Sequence, residues 1–390
     1  MESLRGKVAI VGAADTQVGK VPHLGATALC IDAARRALTD AGISKDQVDG
    51  LVTCNSMAEP YMYHAEAIAE YLQIFPRYCV TANAGGGTTF SSIQHAATAI
   101  ATGVCETVLL CMADSLRTGL TREQAKKMQS STGHPQFETP YGATVPAYYA
   151  LIARAHMDAY GTTPEQLAAV AVSGRRHAAR NPAAQMRELI SVEDVLNSRM
   201  IADPLHLLDC SLVSDGGAAI VMTSAERATD FPYDPVYILG AGEGHSHEHI
   251  SQAKSLTTSA AVESGRRAYR MAALGPEDID VAQLYDCFTP VVLIELEDLG
   301  FCQKGEAGAF VASGGTAPGG ALPVNTHGGM LSHCHPGNPG AMFSLTEAVA
   351  QLRRAAGDRQ VEDVEIALVH GQGGIMSSHA TLILGRENGA

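Results

Sequence analysis

The chain has 390 residues, of which 46% are hydrophobic and 17% are charged, a composition that supports a sizeable core and argues against disorder. At roughly 150 residues per domain, this length predicts two or three domains or one large α/β unit. The net charge of −14 at pH 7 argues against nucleic-acid binding. The sequence contains neither a secretory signal pattern nor an apolar run of the roughly 18 residues that a membrane span needs, so we expect a cytoplasmic protein.

Alternating apolar strands and helices follow one another through the first part of the chain. The apolar runs at 7–14, 49–53 and 106–112 predict buried strands. Residues 24–41 and 91–102 have the apolar spacing of helices, and each is followed by a glycine that can end it. This alternation predicts a mostly parallel sheet with helices on both faces.

The second half of the chain repeats this order. Residues 263–287 align without gaps with 32–56, residues 343–370 resemble 90–111, and 236–242 resemble the first strand. Three similar segments in the same order indicate a duplicated α/β unit. We predict an N-terminal half formed by 1–113 and 210–230, an inserted loop or cap domain at 114–209, and a C-terminal half at 231–390. The insertion contains helical patterns at 147–160 and 164–179 and a polar, mobile segment at 121–141.

The residue types that usually bind metals do not form a convincing site. The nine cysteines are scattered and include no C-x-x-C pair, which is typical of reduced thiols rather than of disulfides or a zinc site. The histidines at 245, 247 and 249 are closely spaced, but a solvated loop explains them better than a metal site. We therefore expect neither a bound metal nor a tightly bound cofactor.

Five motifs occur in order on this duplicated plan. They are SDGGAA at 214–219, LYDCF at 284–288, NTHGG at 325–329, HPG at 335–337 and HGQGG at 370–374. Together they resemble the thiolase superfamily over nearly the whole chain, and its sterol-carrier-protein type most of all. The resemblance implies a five-layer α-β-α-β-α thiolase fold that acts on acyl-CoA thioesters, with coenzyme A as part of the substrate or as cosubstrate.

The resemblance also shows which catalytic positions are altered. In this superfamily a cysteine at a helix N-terminus attacks the thioester, a histidine activates it, a third residue binds the thioester oxygen, and a second cysteine moves the α-proton. Here Ala84 stands in the nucleophile's place, and His370 replaces the second cysteine. Tyr285 occupies the oxygen-binding position, and only the activating histidine is retained, as His335. An alanine has no nucleophile, so an acyl-enzyme cannot form at Ala84.

The altered positions still suit enolate chemistry. A neutral His335 can donate to a developing enolate oxygen, and His370 can transfer a proton at Cα, although it could also be a packed core histidine. Tyr285 can donate to the substrate oxygen or, when deprotonated, accept its proton. Cys334 is a possible alternative nucleophile. The predicted oxyanion and substrate loop consists of Ala84, Gly85, Gly86, Gly373 and Gly374.

These residues favour retro-aldol cleavage of a bulky 3-hydroxyacyl-CoA in a catabolic pathway. The superfamily's steroid side-chain lyases resemble this chain, because they likewise lack the nucleophilic cysteine and have tyrosine at the position of Tyr285. Those lyases differ at the position of His335. The alternatives are a thiolase or acyltransferase that cleaves a bulky 3-oxoacyl-CoA with CoA, and a non-catalytic acyl-CoA or lipid-binding subunit. The resemblance further implies a homodimer core and a small zinc-ribbon and OB-fold partner, together a heterotetramer.

Overall fold

The computed structural model describes residues 4–389 of the chain. The strands are β1 (Val8–Asp15), β2 (Gly50–Cys54), β3 (Tyr78–Ala82), β4 (Thr107–Ser115), β5 (Met200–Ala202), β6 (Leu205–His206), β7 (Asp215–Ser224), β8 (Val236–His245), β9 (Val281–Gln283), β10 (Ile366–Gly373) and β11 (Ser378–Gly385). The helices are α1 (Ala26–Ala41), α2 (His64–Leu72), α3 (Thr88–Ala101), α4 (Arg122–Ser130), α5 (Val145–Tyr160), α6 (Pro164–Ala178), α7 (Val192–Asn197), α8 (Ala225–Ala228), α9 (Ala261–Ala272), α10 (Thr289–Asp298), α11 (Ala307–Ala312), α12 (Gly329–Ser332) and α13 (Gly340–Leu352).

The strand order confirms the duplication. Nine strands form one continuous sheet in the order β3-β2-β4-β7-β1-β8-β11-β10-β9, and β5 pairs with β6 separately. Outward from the centre, β1, β7, β4 and β2 occupy the same places in one half as β8, β11, β10 and β9 in the other. The halves join where β1 and β8 pair over two residues, Ala9 with Tyr237 and Ile10 with Val236.

The expectation of a mostly parallel sheet is wrong. Only the pairs β2–β3, β2–β4 and β9–β10 are parallel, whereas β1–β7, β1–β8, β4–β7, β8–β11 and β10–β11 are antiparallel. The short turn between β10 and β11 makes an antiparallel hairpin, since a parallel pair needs a long crossover. In the N-terminal half, β7 corresponds to β11. The connection from β4 to β7 contains the insertion and is much longer than the β10–β11 turn, but the strand order is the same.

Helices α3 and α13 lie between the two halves of the sheet. Both helices contact strands of both halves. By contrast, the strands that α1 packs on closely are β1, β4 and β7, and those that α9 packs on closely are β8 and β11. Apolar and small residues fill the two central helices, and 12 of the 13 residues of α13 are buried. This arrangement gives helix, sheet, helix, sheet and helix layers, and the first turns of the central helices point to the region where the motifs meet.

The insertion packs mainly on the C-terminal half. Helices α5 and α6 confirm the helical patterns at 147–160 and 164–179, and α6 contacts α10, α11 and α12. Within the segment predicted to be mobile, 121–141, the structure contains helix α4, none of whose residues is buried. The exact domain boundaries stay a prediction. None of the helices within 4–389 combines the length and apolar character that crossing a bilayer requires.

Candidate active site

The loop that carries Ala84 leads directly into helix α3. The Ala84 N–H donates to Thr88 Oγ1 at 2.8 Å, and the Thr88 hydroxyl donates to the Gly85 carbonyl at 2.5 Å, so the side chain of Thr88 closes the turn. Gly85 has φ = +58°, a conformation that glycine adopts without strain. The turn lies at the N-terminus of a 14-residue helix, where the helix dipole favours an oxyanion.

Two glycine loops, one from each half of the chain, touch at this turn. A Cβ atom on Gly373 would overlap the Ala84 carbonyl, and one on Gly86 would overlap the ring of Tyr285. A Cβ atom on Gly85 would lie 2.6 Å from Gly373 Cα and 2.9 Å from the nitrogen of Gly374. Such close approach is possible only because these positions carry no side chain. The structure therefore brings the predicted loop residues and Tyr285 to one place.

Tyr285 and His335 form the central polar contact of the site. The Tyr285 hydroxyl lies 3.0 Å from His335 Nε2, and the two rings are nearly perpendicular at 86°. Burial, together with the nearby Cys287 and Asp286, raises the pKa of the Tyr285 phenol well above its usual value. The phenol therefore stays protonated at neutral pH and can donate to an oxygen or to the imidazole.

His335 is held on both sides by the segment that precedes β7. Its Nδ1 lies 2.8 Å from Ser211 Oγ, and its backbone N–H donates to Ser214 Oγ at 3.0 Å. Burial lowers the pKa of His335 to about 4, so the ring is neutral at physiological pH. A neutral ring has one N–H and one acceptor nitrogen, and the Ser211 contact decides which of them faces Tyr285.

The loop after His335 also reaches the Ala84 turn. The Asn338 side-chain amide donates to Asn83 Oδ1 at 3.3 Å, and the Gly85 N–H approaches the same oxygen at 3.4 Å. Three segments distant in sequence thus meet around Tyr285: the α3 turn, the loop before α13 and the turn after β10.

Three other polar residues beside the site, Asp286, Cys287 and Cys334, are buried, and their surroundings favour structural roles. The carboxylate of Asp286 accepts the backbone N–H groups of Met330 and Leu331 at 2.7 and 3.3 Å and so holds the first turn of α12. Burial raises the pKa values of the Cys287 and Cys334 thiols, and Cys334 is 1% exposed. A thiol in this state is a poor nucleophile. The role of Cys334 as alternative nucleophile stays a prediction.

His370 lies in a separate, fully buried polar cluster. Its Nδ1 is 2.8 Å from Thr381 Oγ1, its Nε2 is 3.0 Å from His379 Nδ1, and the same Nε2 is 3.7 Å from Glu295 Oε1. The other oxygen of Glu295 accepts the backbone N–H of Tyr285 at 3.0 Å, which connects this cluster to the site. Burial and, to a smaller extent, the nearby His379 lower the pKa of His370 well below its usual value.

Within 4–389, only Glu295, His370 and His379 place three potential metal-ligand atoms within 4.8 Å of one another. Three of their four imidazole nitrogens already have hydrogen-bond partners, and a structural zinc ion takes four ligands. The histidines at 245, 247 and 249 have different partners: Ser378 and Glu243 for the first, Ser246 and the Ile375 carbonyl for the second, and the ring of His134 for the third.

Several residues that shape the site were not predicted from the sequence. Tyr149 of the insertion donates to the Gly374 carbonyl at 3.2 Å and stacks on Phe288 at 4.4 Å. Gln372 donates to the Tyr149 hydroxyl at 2.6 Å and so ties the insertion to the glycine turn. Ser211 and Glu295 were also missed. Glu295 did leave a signal, because it is a carboxylate inside the otherwise apolar run VVLIEL at 291–296, soon after the LYDCF motif.

The chain is similar to known proteins along nearly its whole length. Residues 8–226 match the family model "Thiolase, N-terminal domain", and 242–386 match "Thiolase C-terminal domain-like". The chain is 38% identical to a "Steroid side-chain-cleaving aldolase" of Thermomonospora curvata, covering 99% of this chain and 100% of the relative. It is 39% identical to a "17-hydroxy-3-oxo-4-pregnene-20-carboxyl-CoA lyase" of Mycobacterium tuberculosis, covering 98% and 100%.

A solved structure is similar over the same extent. The structure described as "Ltp2-ChsH2(DUF35) aldolase" superposes with a TM-score of 0.87 at 36% identity, covering 98% of each chain.

Proposed function

Because the chain belongs to the thiolase family, and its five-layer fold is the thiolase fold, we propose that it is an acyl-CoA lyase that cleaves the Cα–Cβ bond of a bulky 3-hydroxyacyl-CoA by a retro-aldol reaction. One observation carries this proposal: Ala84 stands at the helix N-terminus where a nucleophile would be, beside an intact Tyr285–His335 pair. Retro-aldol cleavage needs no nucleophile, only a base near the hydroxyl and donors near the thioester oxygen. The related aldolase and lyase support the same reaction class.

The first step is removal of the proton from the β-hydroxyl. Tyr285 can accept this proton while its own phenolic proton passes across the 3.0 Å contact to His335 Nε2, so the phenol remains neutral throughout. The Cα–Cβ bond then breaks, the β-carbon leaves as a ketone or aldehyde, and the electron pair forms the CoA enolate. The low pKa of His335 means that its cation forms only beside that negative charge.

The enolate oxygen then needs stabilisation that is already in place. The Ala84–Gly86 turn lies at the positive end of the α3 dipole, which favours a negative oxygen, and the Thr88 side chain fixes the turn. Protonation at Cα completes the reaction, and we assign His370 as the proton carrier. Ala84 is also smaller than a cysteine because it lacks the sulfur, which suits a branched or bulky β-carbon.

The experiment is a product analysis with the purified protein. Panels of 3-hydroxyacyl-CoA and 3-oxoacyl-CoA thioesters, linear and bulky, are incubated with and without free CoA, and products are identified by mass spectrometry. We expect a shorter acyl-CoA plus a ketone or aldehyde from a bulky 3-hydroxyacyl-CoA, independent of added CoA. Two thioesters that form from a 3-oxoacyl-CoA only when CoA is present would establish thiolytic chemistry instead, and substrate binding without turnover would establish a binding subunit.

We also propose a larger assembly in the cytoplasm, where the free state of all nine cysteines is expected to persist. For a homodimer, the support is strand β3 at the edge of the sheet, next to Phe75, which is 98% exposed. We further propose a zinc-ribbon and OB-fold partner, which together with the homodimer would form a heterotetramer. The support is the related structure, whose name joins two components, Ltp2 and ChsH2. Exposed Phe137 and Tyr141 on the insertion would suit such a partner.

A further inference from the structure

A short segment, 210–214, is bound to the loop that carries Tyr285. The Ser211 N–H donates to the Cys287 carbonyl at 2.9 Å, and the residue before Ser211 forms a β-bridge with Phe288. These backbone contacts give the Ser211 side chain a defined position relative to the phenol, which lies two residues before Cys287 in the same loop.

The same segment holds His335 at both its backbone and its ring. The Ser214 N–H donates to the His335 carbonyl at 3.2 Å, and Ser214 Oγ accepts the His335 N–H at 3.0 Å. Ser211 Oγ lies 2.8 Å from Nδ1 of the ring, and the Tyr285 hydroxyl lies 3.0 Å from Nε2. The three side chains of Ser211, His335 and Tyr285 therefore form one chain of hydrogen bonds.

This chain allows two arrangements of hydrogens, because a neutral imidazole has one N–H and one acceptor nitrogen. In the first, the Tyr285 hydroxyl donates to Nε2 and the Nδ1–H donates to Ser211. In the second, both bonds are reversed, and the phenolic hydrogen needs another acceptor. Within the described part of the chain, the Tyr285 hydroxyl has one hydrogen-bond partner, His335 Nε2. The second arrangement therefore leaves a phenolic donor without a partner in a residue that is 6% exposed.

The first arrangement avoids this cost. It satisfies the phenol and both ring nitrogens, and the remaining hydrogen belongs to the hydroxyl of Ser211, a partly exposed residue that can donate to water. We propose that Ser211 accepts the Nδ1–H of His335 and so fixes the tautomer whose Nε2 lone pair faces Tyr285. Ser211 is a positioning residue that acts through His335.

The tautomer matters for the reaction, and in this respect the inference rests on the proposed function. As the substrate's β-hydroxyl proton forms an O–H bond with Tyr285, the phenol's own O–H bond breaks and an N–H bond forms at Nε2, which requires a lone pair there. The imidazolium then has two N–H groups, and Ser211 Oγ continues to accept the one at Nδ1. When the products leave, Nε2 returns its proton to the phenol, and the phenol releases one to solvent. The opposite tautomer presents an N–H to the phenol and cannot take its proton.

The test measures the tautomer directly and needs no substrate. Nitrogen-15 NMR of protein labelled at its histidines distinguishes the two ring nitrogens, because Nε2 couples to both carbon-bound ring protons and Nδ1 strongly to one. The signals that disappear in His335→Gln identify His335. Ser211→Ala removes the acceptor, and Ser211→Thr is the matched control because it keeps the hydroxyl. Separate kcat and KM values record the effect on the reaction.

We expect the parent to have its ring proton on Nδ1 and an unprotonated Nε2. Ser211→Ala should shift the ring towards the Nε2–H form and lower kcat by about 10-fold with little change in KM, because the imidazolium loses a hydrogen bond. Ser211→Thr should keep the parent's tautomer and most of its kcat. An Nε2–H ring in the parent would overturn the proposal, as would an unchanged ring or an unchanged kcat in folded Ser211→Ala. If the parent cleaves no 3-hydroxyacyl-CoA, the proposed function fails, while the NMR comparison still decides the tautomer.

Discussion

Tyr285 and His335 are both kept neutral by burial, and their 3.0 Å contact makes them one unit rather than two independent groups. A lone buried phenol is too weak an acid to ionise near pH 7, and a lone imidazole with a pKa of about 4 is a weak base. Under the proposed mechanism, proton transfer through the pair would avoid both problems, because a cation would form on His335 only when an enolate forms close by. Ser211 fixes the ring at Nδ1.

A double-mutant cycle tests the unit. We expect Tyr285→Phe and His335→Ala each to lower kcat by about 10²-fold or more, because each removes one end of the proton path. The double variant should be little worse than either single variant, since residues that act together are not additive. Purely multiplicative losses in kcat, measured on the preferred substrate from the product panel, would contradict a shared proton path.

The lowered pKa of His335 also predicts a pH-dependent difference in stability. Unfolded histidine binds a proton below about pH 6.5 and the folded ring only below about pH 4, so the parent loses stability as the pH falls through this interval. His335→Gln has no such group. Relative to the parent, its free energy of unfolding should therefore rise by about 2 kcal/mol between about pH 7.5 and pH 5.0.

Urea unfolding at the two pH values measures this change, and comparison with the parent cancels the contributions of the other buried acids and histidines. A difference between variant and parent that stays constant with pH would mean that His335 titrates normally in the folded protein.

At the scale of elements, the site depends on glycine turns at which the two halves of the chain approach each other. Gly86 lies against the Tyr285 ring and the Gln372 carbonyl, and Gly373 lies against the Ala84 carbonyl. These contacts fix the α3 turn relative to the β10 turn, so the α3 turn of one half lies against Tyr285 of the other. A side chain at these positions would separate the halves at the site itself.

Gly86→Ala is the corresponding prediction. Its Cβ would overlap Tyr285, so we expect a loss of about 2 kcal/mol in stability and a larger loss in kcat than in KM. The neighbour Gly87 is the control, because a Cβ there would meet nothing closer than the Ala84 carbonyl oxygen at 3.3 Å. Thermal unfolding and turnover of Gly86→Ala that match those of Gly87→Ala would show that the turn can widen freely.

The sequence predicted some of these elements well and others not at all. The strand predicted at 7–14 is β1 (Val8–Asp15), and the helix predicted at 164–179 is α6 (Pro164–Ala178), because local apolar spacing and glycine or proline punctuation decide such boundaries. Strand direction could not be predicted in the same way, since it depends on which distant strands pair. Glu295 was missed because its partners, the Tyr285 N–H and His370, meet it only in the folded chain.

At the scale of the whole molecule, the described surface has apolar regions that a lone protomer leaves uncovered. Beside the edge strand β3, Phe75 is 98%, Met62 89% and Tyr63 68% exposed. Such a group of large, exposed apolar side chains is uncommon on the surface of a monomeric protein. On the insertion, Phe137 and Tyr141 are 61% and 86% exposed. Two separate apolar areas suit two kinds of contact, one with a second copy and one with a different subunit.

Full activity should depend on the different subunit. Enolate chemistry benefits from excluded water, and the exposed helix α4 of the insertion covers little by itself. We expect the polypeptide expressed alone to be a homo-oligomer. Its turnover should be roughly a tenth or less of the turnover measured with a zinc-ribbon and OB-fold partner. Zinc should co-purify only when that partner is present. Phe137→Asp should abolish the gain, whereas Tyr233→Ser, at another exposed aromatic residue, should not. Light scattering, zinc analysis and turnover measure these outcomes, and full activity from a zinc-free homo-oligomer would refute the need for a partner.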